Sequence, residues 1–318
     1  GEAAAAAEWF REALDISLSL YHAKPDDAEL IIGAGQSYAW LADSEFRQVR
    51  LAEAEAARIA ELDVYSSADE ALRGHSSLEM SKLIAMASLA VIEIAQNKID
   101  LALDDSVEAA RAADGLLLKD PMNAEYANRA TFAHNIHGGA LMHAGRFDDA
   151  RKALIAGLQI NERAMKTSAN APHWLQSAGA QTRLSLAQLD VLTNNRAPAA
   201  DQFEKVIKDL KPIVDAGSAD ANVARRYCAA LAGRARLAKE YEETWVEIVQ
   251  LLNADRSRLD PDATVLLLEA FQRTGRPHEA LQITKALYSA GYSHPDFMAL
   301  LEEFPELKAA AVGDGAAR

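Results

Sequence analysis

One cysteine in 318 residues, Cys228, excludes an intramolecular disulfide and any structural zinc site built on several thiolates. Only 9 prolines and 16 glycines interrupt long stretches of Ala, Leu, Glu, Arg and Gln, the strong helix formers. Positive charge is also short: 33 Lys and Arg stand against 47 Asp and Glu, a net charge of −14. That balance argues against nucleic acid or an anionic membrane as the main partner, because both reward clustered cations. No membrane span is found, since the most apolar segment, Leu83 to Ile94, is too short and runs into polar residues. The alanine run Ala3 to Ala7 lacks the basic start of a signal peptide and leads into Glu8 and Trp9.

Catalytic motifs are missing as well. Gly33-Ala34-Gly35 has neither the third glycine nor the preceding strand of a phosphate-binding loop. There is no Gly-x-Ser-x-Gly elbow, so no catalytic residue, cofactor or metal is expected. What the chain does have is apolar content: half of its residues are hydrophobic, enough for a large core.

That content recurs with a period. Ala6, Ala54, Ala102 and Ala150 are 48 residues apart, and Leu30, Leu78, Tyr126 and Trp174 keep the same stride with large apolar residues. Helix stops fall in the same register at Gly1, Val49, Asn97, Gly145 and Thr193-Asn194-Asn195. Each unit reads as two helices of about 20 residues, roughly 30 Å long at 1.5 Å per residue, joined by short turns. Beyond about residue 217 the stride shortens. Ala219 to Lys239 pairs with Tyr241 to Ala254, and Asp262 to Thr274 with Pro277 to Ala290. Gly291-Tyr292-Ser293-His294-Pro295-Asp296 then turns into a closing helix from Met298 to Phe304.

Gly138, Gly145, Phe147, Ala150 and Gly157 resemble the small, turn, aromatic and close-packing positions of the tetratricopeptide (TPR) family. The resemblance implies an all-α fold, a right-handed α-solenoid of antiparallel helix hairpins whose helices are longer than usual. The expected organisation is one solenoid over residues 1–318. Residues 1–24 are the second helix of a truncated repeat, 25–216 the long repeats, 217–304 the shorter hairpins and closing helix, and 305–318 a frayed end. The extended repeats and the closing turn also resemble the C-terminal repeat segments of bacterial membrane-anchored serine/threonine kinases and winged-helix regulators. No kinase or DNA-binding residues accompany that resemblance, and the compartment stays open.

In such repeats the first helix of each hairpin lines the concave groove. The resemblance therefore places Asn135, His143, Arg183, Arg226 and Arg236 on that face, beside an arginine cluster that includes Arg225 and Arg234. A basic spot there suits an acidic peptide or a C-terminal carboxylate; the plainer reading is a solvated face with ion pairs. His134, His137 and His143 are the nearest approach to a metal constellation, and packing roles suit them better. Cys228 reads as an inert buried thiol. Most of Trp9, Trp40, Trp174 and Trp245 read as packing residues, and an exposed one would mark a partner site.

The leading expectation is a non-catalytic scaffold that binds a protein or peptide in its groove. Self-association or docking within a larger bacterial signalling protein is the second reading, and a small-molecule sensor the third.

Overall fold

The computed structural model describes residues 2–68, 72, 74–168, 172–238, 242–254 and 256–313. Gly1 and residues 169–171 and 239–241, on which parts of the repeat reading fall, and residues 314–318 of the expected frayed end lie outside them. Fifteen α-helices and no strand occur among the described residues.

Helix starts follow local chemistry. Asp27, Asn123 and Asp260 accept backbone N–H bonds from the first turns of α2 (Ala28–Arg47), α6 (Ala124–His143) and α12 (Pro261–Arg273). Helix ends follow the 48-residue stride. Val49, Asn97, Gly145 and Asn194 all take left-handed backbone, with φ of 58°, 58°, 72° and 60°. At each, the next residue donates back to the helix, as Arg146 N does to the Leu141 carbonyl at 2.9 Å. Val49 and Asn97 therefore do the work of a glycine. Gly145→Ala is expected to cost about 1 kcal/mol from backbone strain alone, since a Cβ there meets nothing within 4 Å. Gly33→Ala, with equal space in the middle of α2, should instead stabilise by about 0.5–1 kcal/mol. Urea unfolding of the two variants separates these signs.

Between the stops stand long helices: α1 (Glu2–Ala23), α3 (Leu51–Ser66), α4 (Ser76–Ala95), α5 (Ile99–Lys119), α7 (Phe147–Thr167), α8 (His173–Leu192) and α9 (Arg196–Asp215). Shorter ones follow: α10 (Ala221–Ala238), α11 (Glu242–Asn253), α13 (Pro277–Ser289), α14 (Pro295–Glu303) and α15 (Pro305–Gly313). Each helix from α1 to α12 packs against the next, and α2, α4, α6, α8, α10 and α12 also pack in series. This is an α-solenoid of antiparallel hairpins with the first helix of each pair on one layer. Ala54, Ala102, Ala150 and Ala199 are fully buried where the second helices approach. Gly138 serves the same purpose: a Cβ there would lie 2.6 Å from Leu154, so only glycine admits that side chain.

Three expectations need correction. The stride lengthens by one residue after Gly145, so Leu175, fully buried, holds the place assigned to Trp174, which is 45% exposed. Trp9 and Trp40 are exposed too, and only Trp245 is in the core. The end is not frayed throughout 305–318: residues 305–313 form α15, which buries Leu307.

A solenoid ordinarily contacts only its sequence neighbours. Here Ser293 N donates to the Ala95 carbonyl at 3.0 Å, so the closing turn meets the end of α4 and the superhelix comes round on itself. Leu51 and Ala95 accordingly belong to the same buried cluster as Phe271, Phe297 and Leu301.

Candidate functional site

The curl encloses a cavity of about 410 Å³ on the concave face. Its walls come from α4, α6, α8, α10, α12, the closing turn and α14, so the layer of first helices builds it. Asn135 and His143 line it from α6, Arg225 and Arg236 from α10, and Asp262 and Glu269 from α12. Tyr292, His294, Asp296 and Glu303 close it from the turn and α14.

Three of the five groove residues read from the sequence, Asn135, His143 and Arg236, are therefore brought together; Arg183 and Arg226 do not line the cavity. Arg183 pairs with Glu162 at 2.6 Å. Arg226 donates to Gln181 at 3.1 Å and to Ser177, and burial pushes it down to about 10, with the charge of Arg225 adding to the effect. Arg234 turns away to Glu204 on α9. The arginine cluster is thus taken up by partners on α8, α9 and α12, with Gln181 accepting from both Arg225 and Arg226.

Charges inside the cavity run the other way. Two arginines, Arg225 and Arg236, face four carboxylates there. Arg225 is shared between Asp260 at 3.3 Å and Gln181 at 3.3 Å. Arg236 is held by Glu269, which also accepts from Arg273, and Arg273 in turn reaches Glu303. Asp262 takes only the Tyr292 hydroxyl, at 2.9 Å. Burial opposes ionisation of Asp262, yet His294, Arg225 and that hydroxyl keep its carboxyl below the ordinary value. Burial and the Asp262 charge raise the Tyr292 phenol far above its own. His143 lies edge-on to His294 with ring centroids 5.1 Å apart, and burial, with His294 nearby, lowers its value so that it is neutral at pH 7.

His143, His294 and Asp296 bring ligand-type atoms within 4.8 Å of one another and form the group best placed to hold a metal. The Nδ1 atom of His294 accepts the Asp296 N–H at 3.1 Å, so a neutral ring carries its proton on Nε2. A metal would have to displace one or the other. His134 and His137, grouped with His143 by sequence, instead meet Asp114 and Ser106 on α5, each at 3.0 Å. Cys228 is buried and pushed up to about 12, which leaves it a protonated thiol. Sequence reasoning missed Asp262, Tyr292, His294 and Asp296 as site residues. The Gly-Tyr-x-His-Pro-Asp turn was the visible signal of the last three, read as the entry to the closing helix and as part of a family resemblance.

Compared with known proteins, the chain matches no family model and no curated protein. Among solved structures it is similar to BtubC (BKLC) from P. vanneervenii at 12% identity and a TM-score of 0.49, covering 93% of this chain and 94% of that one. It is also similar to the human IFIT1 dimer with PPP-AAAA, at 13% identity and a TM-score of 0.26 over 89% of this chain and 69% of that one. Yeast Tom70 aligns at 15% identity and a TM-score of 0.22, over 98% and 88%. Likenesses this distant say nothing of function. No helix among the described residues is long and apolar enough to cross a membrane.

Proposed function

We propose that this chain is a non-catalytic interaction scaffold that holds a segment of a protein partner in its concave cavity. The observation behind it is that one cavity is walled by the first helix of successive hairpins, so the repeat and the site are one construction. Its volume of about 410 Å³ falls in the range of ligand pockets and suits a few residues of peptide. Asn135, His143 and Arg236 are its contact residues, while Arg226 bonds to Gln181 on its wall and Arg183 lies outside its lining. A place in a larger bacterial signalling protein rests on the segment resemblance alone.

Gly139 supplies the test. It lines the cavity, and a Cβ there meets nothing within 4 Å. Gly139→Leu should fold normally, plug the cavity and weaken a captured partner's binding at least tenfold, read by calorimetry on the purified pair. Unchanged affinity would move the site elsewhere.

A second reading, self-association, is favoured by one observation: Trp9, Ile16 and Leu20 are 71%, 65% and 52% exposed along one side of α1. Trp9→Glu would then lower the mass seen in sedimentation at high concentration.

A further inference from the structure

We infer that the concave cavity selects a cation, the ammonium or guanidinium group of a lysine- or arginine-bearing peptide, and not the acidic segment that the arginines suggest at first sight. The inference rests on the scaffold reading above and names its ligand class.

Two independent features of the cavity ask for donors. The first is an excess of acid. Asp262 and Asp296 both face the cavity, and among the described residues neither has a cationic side chain within ion-pair distance; Asp262 has the Tyr292 hydroxyl, with Arg225 and His294 farther off. Both cavity arginines are already committed, Arg236 to Glu269 and Arg225 to Asp260 and Gln181. An anionic ligand would therefore have to break an existing pair and sit beside the carboxylates of Asp262 and Asp296. A cation meets the carboxylates directly.

The second feature is Asn135. It is only 7% exposed and lines the cavity, yet its side-chain oxygen is closed to solvent and has no hydrogen-bond partner among the described residues. A buried acceptor without a donor costs stability, and a turn of this amide toward the cavity would let a ligand donor satisfy it. Ammonium and guanidinium groups are pure donors, with three and five N–H bonds to give. His143, neutral at pH 7, adds an acceptor nitrogen or an aromatic edge to the same wall. The overall charge of −14 steers such a ligand toward the molecule before contact.

The test uses the full chain and fluorescein-labelled pentapeptides, Ala-Lys-Ala-Lys-Ala and Ala-Glu-Ala-Glu-Ala, read by anisotropy at low salt. The lysine peptide should bind and the glutamate peptide should not. Asp262→Asn with Asp296→Asn, and separately Gly139→Leu, should each weaken lysine-peptide binding at least tenfold, with thermal melts near wild type. Asp148→Asn with Asp149→Asn, which removes the same charge from the exposed start of α7, should change it less than threefold. Competition by cadaverine separates the sources: displacement at equal affinity assigns the cavity to free amines, weaker displacement to a peptide, and both uphold the cation. An equal loss in the surface variant would reduce the effect to diffuse attraction and overturn the inference, as would tighter binding of the glutamate peptide or no binding of either. The scaffold reading fails separately. Partner binding that is lost in Gly139→Leu but indifferent to the two aspartates keeps the scaffold and discards the cation. If no ligand of any composition responds to Gly139→Leu, both fall.

Discussion

Arg58→Ala should lower the unfolding free energy by about 3–5 kcal/mol at pH 7.5, because it strands a carboxylate inside the first long hairpin. Arg58 is 3% exposed on α3, and its guanidinium donates to Glu61 at 2.6 Å and to Asp43 on α2. Glu61 is itself 2% exposed. Burial already raises its carboxyl above the ordinary value although Arg58 pulls it down. The sign of the pH dependence follows. A carboxyl raised in the folded state binds its proton more readily there than in the unfolded chain. It therefore costs stability as pH rises from the unfolded value toward the folded one, and that cost is recovered on acidification. Removing Arg58 raises the folded value further, so the deficit should shrink between pH 7.5 and pH 5 as Glu61 takes up a proton. Urea unfolding at the two pH values measures it. Arg58→Met with Glu61→Leu should return close to wild type, since an apolar pair of similar volume needs no compensation. A loss under 1 kcal/mol for Arg58→Ala at pH 7.5 would mean that water reaches the pair.

Most of the helix hairpins could be read in advance because their signals are local. A stop every 48 residues is visible wherever it is spelled with glycine, as at Gly145, and the buried alanines keep the same stride. Val49 was harder, since a β-branched residue is a poor choice for left-handed backbone, yet it adopts φ 58°. Its side chain packs against the C-terminal cluster, so tertiary contact outweighs local preference there. The single inserted residue after Gly145 was invisible because Trp174 and Leu175 are both apolar neighbours in the sequence. A one-residue slip on a helix rotates a side chain by about 100°, enough to take it from core to solvent.

Buried charge was the other blind spot. Glu45, Glu93 and Asp190 are buried near the ends of α2, α4 and α8, and no periodicity of apolar residues reveals them. Glu45 is met by Arg11 and Arg50, and Asp190 by Arg151 at 2.6 Å. At Glu93 the corresponding cation, Lys98, goes to Glu55 instead. Burial, with Asp105 next to it, pushes Glu93 up to about 8. For the cavity, counting arginines along the sequence left out the four carboxylates that line it with them. Which carboxylates face those arginines depends on the superhelix closing on itself, a contact between residues about two hundred positions apart.

That closure makes Phe297→Ala the second large effect, with an expected loss of about 3–5 kcal/mol. Phe297 is fully buried in the first turn of α14, 5.6 Å from the Tyr292 ring, in the cluster that joins the closing turn to α12 and α13. In a solenoid such a loss need not spread, because each hairpin is held mainly by its neighbours. The expected result is therefore local opening of the turn, α14 and α15, with the long hairpins intact. Hydrogen exchange locates it: the Ser293 amide, bonded to the Ala95 carbonyl, should lose protection while amides inside α4 and α6 keep theirs. Tyr292, His294, Asp296 and Glu303 would leave the cavity together, so ligand binding should fall in the same variant although Phe297 does not line it. If Ser293 stays protected, the turn is anchored by its contact with α4 and not by the aromatic behind it. Binding would then survive the substitution.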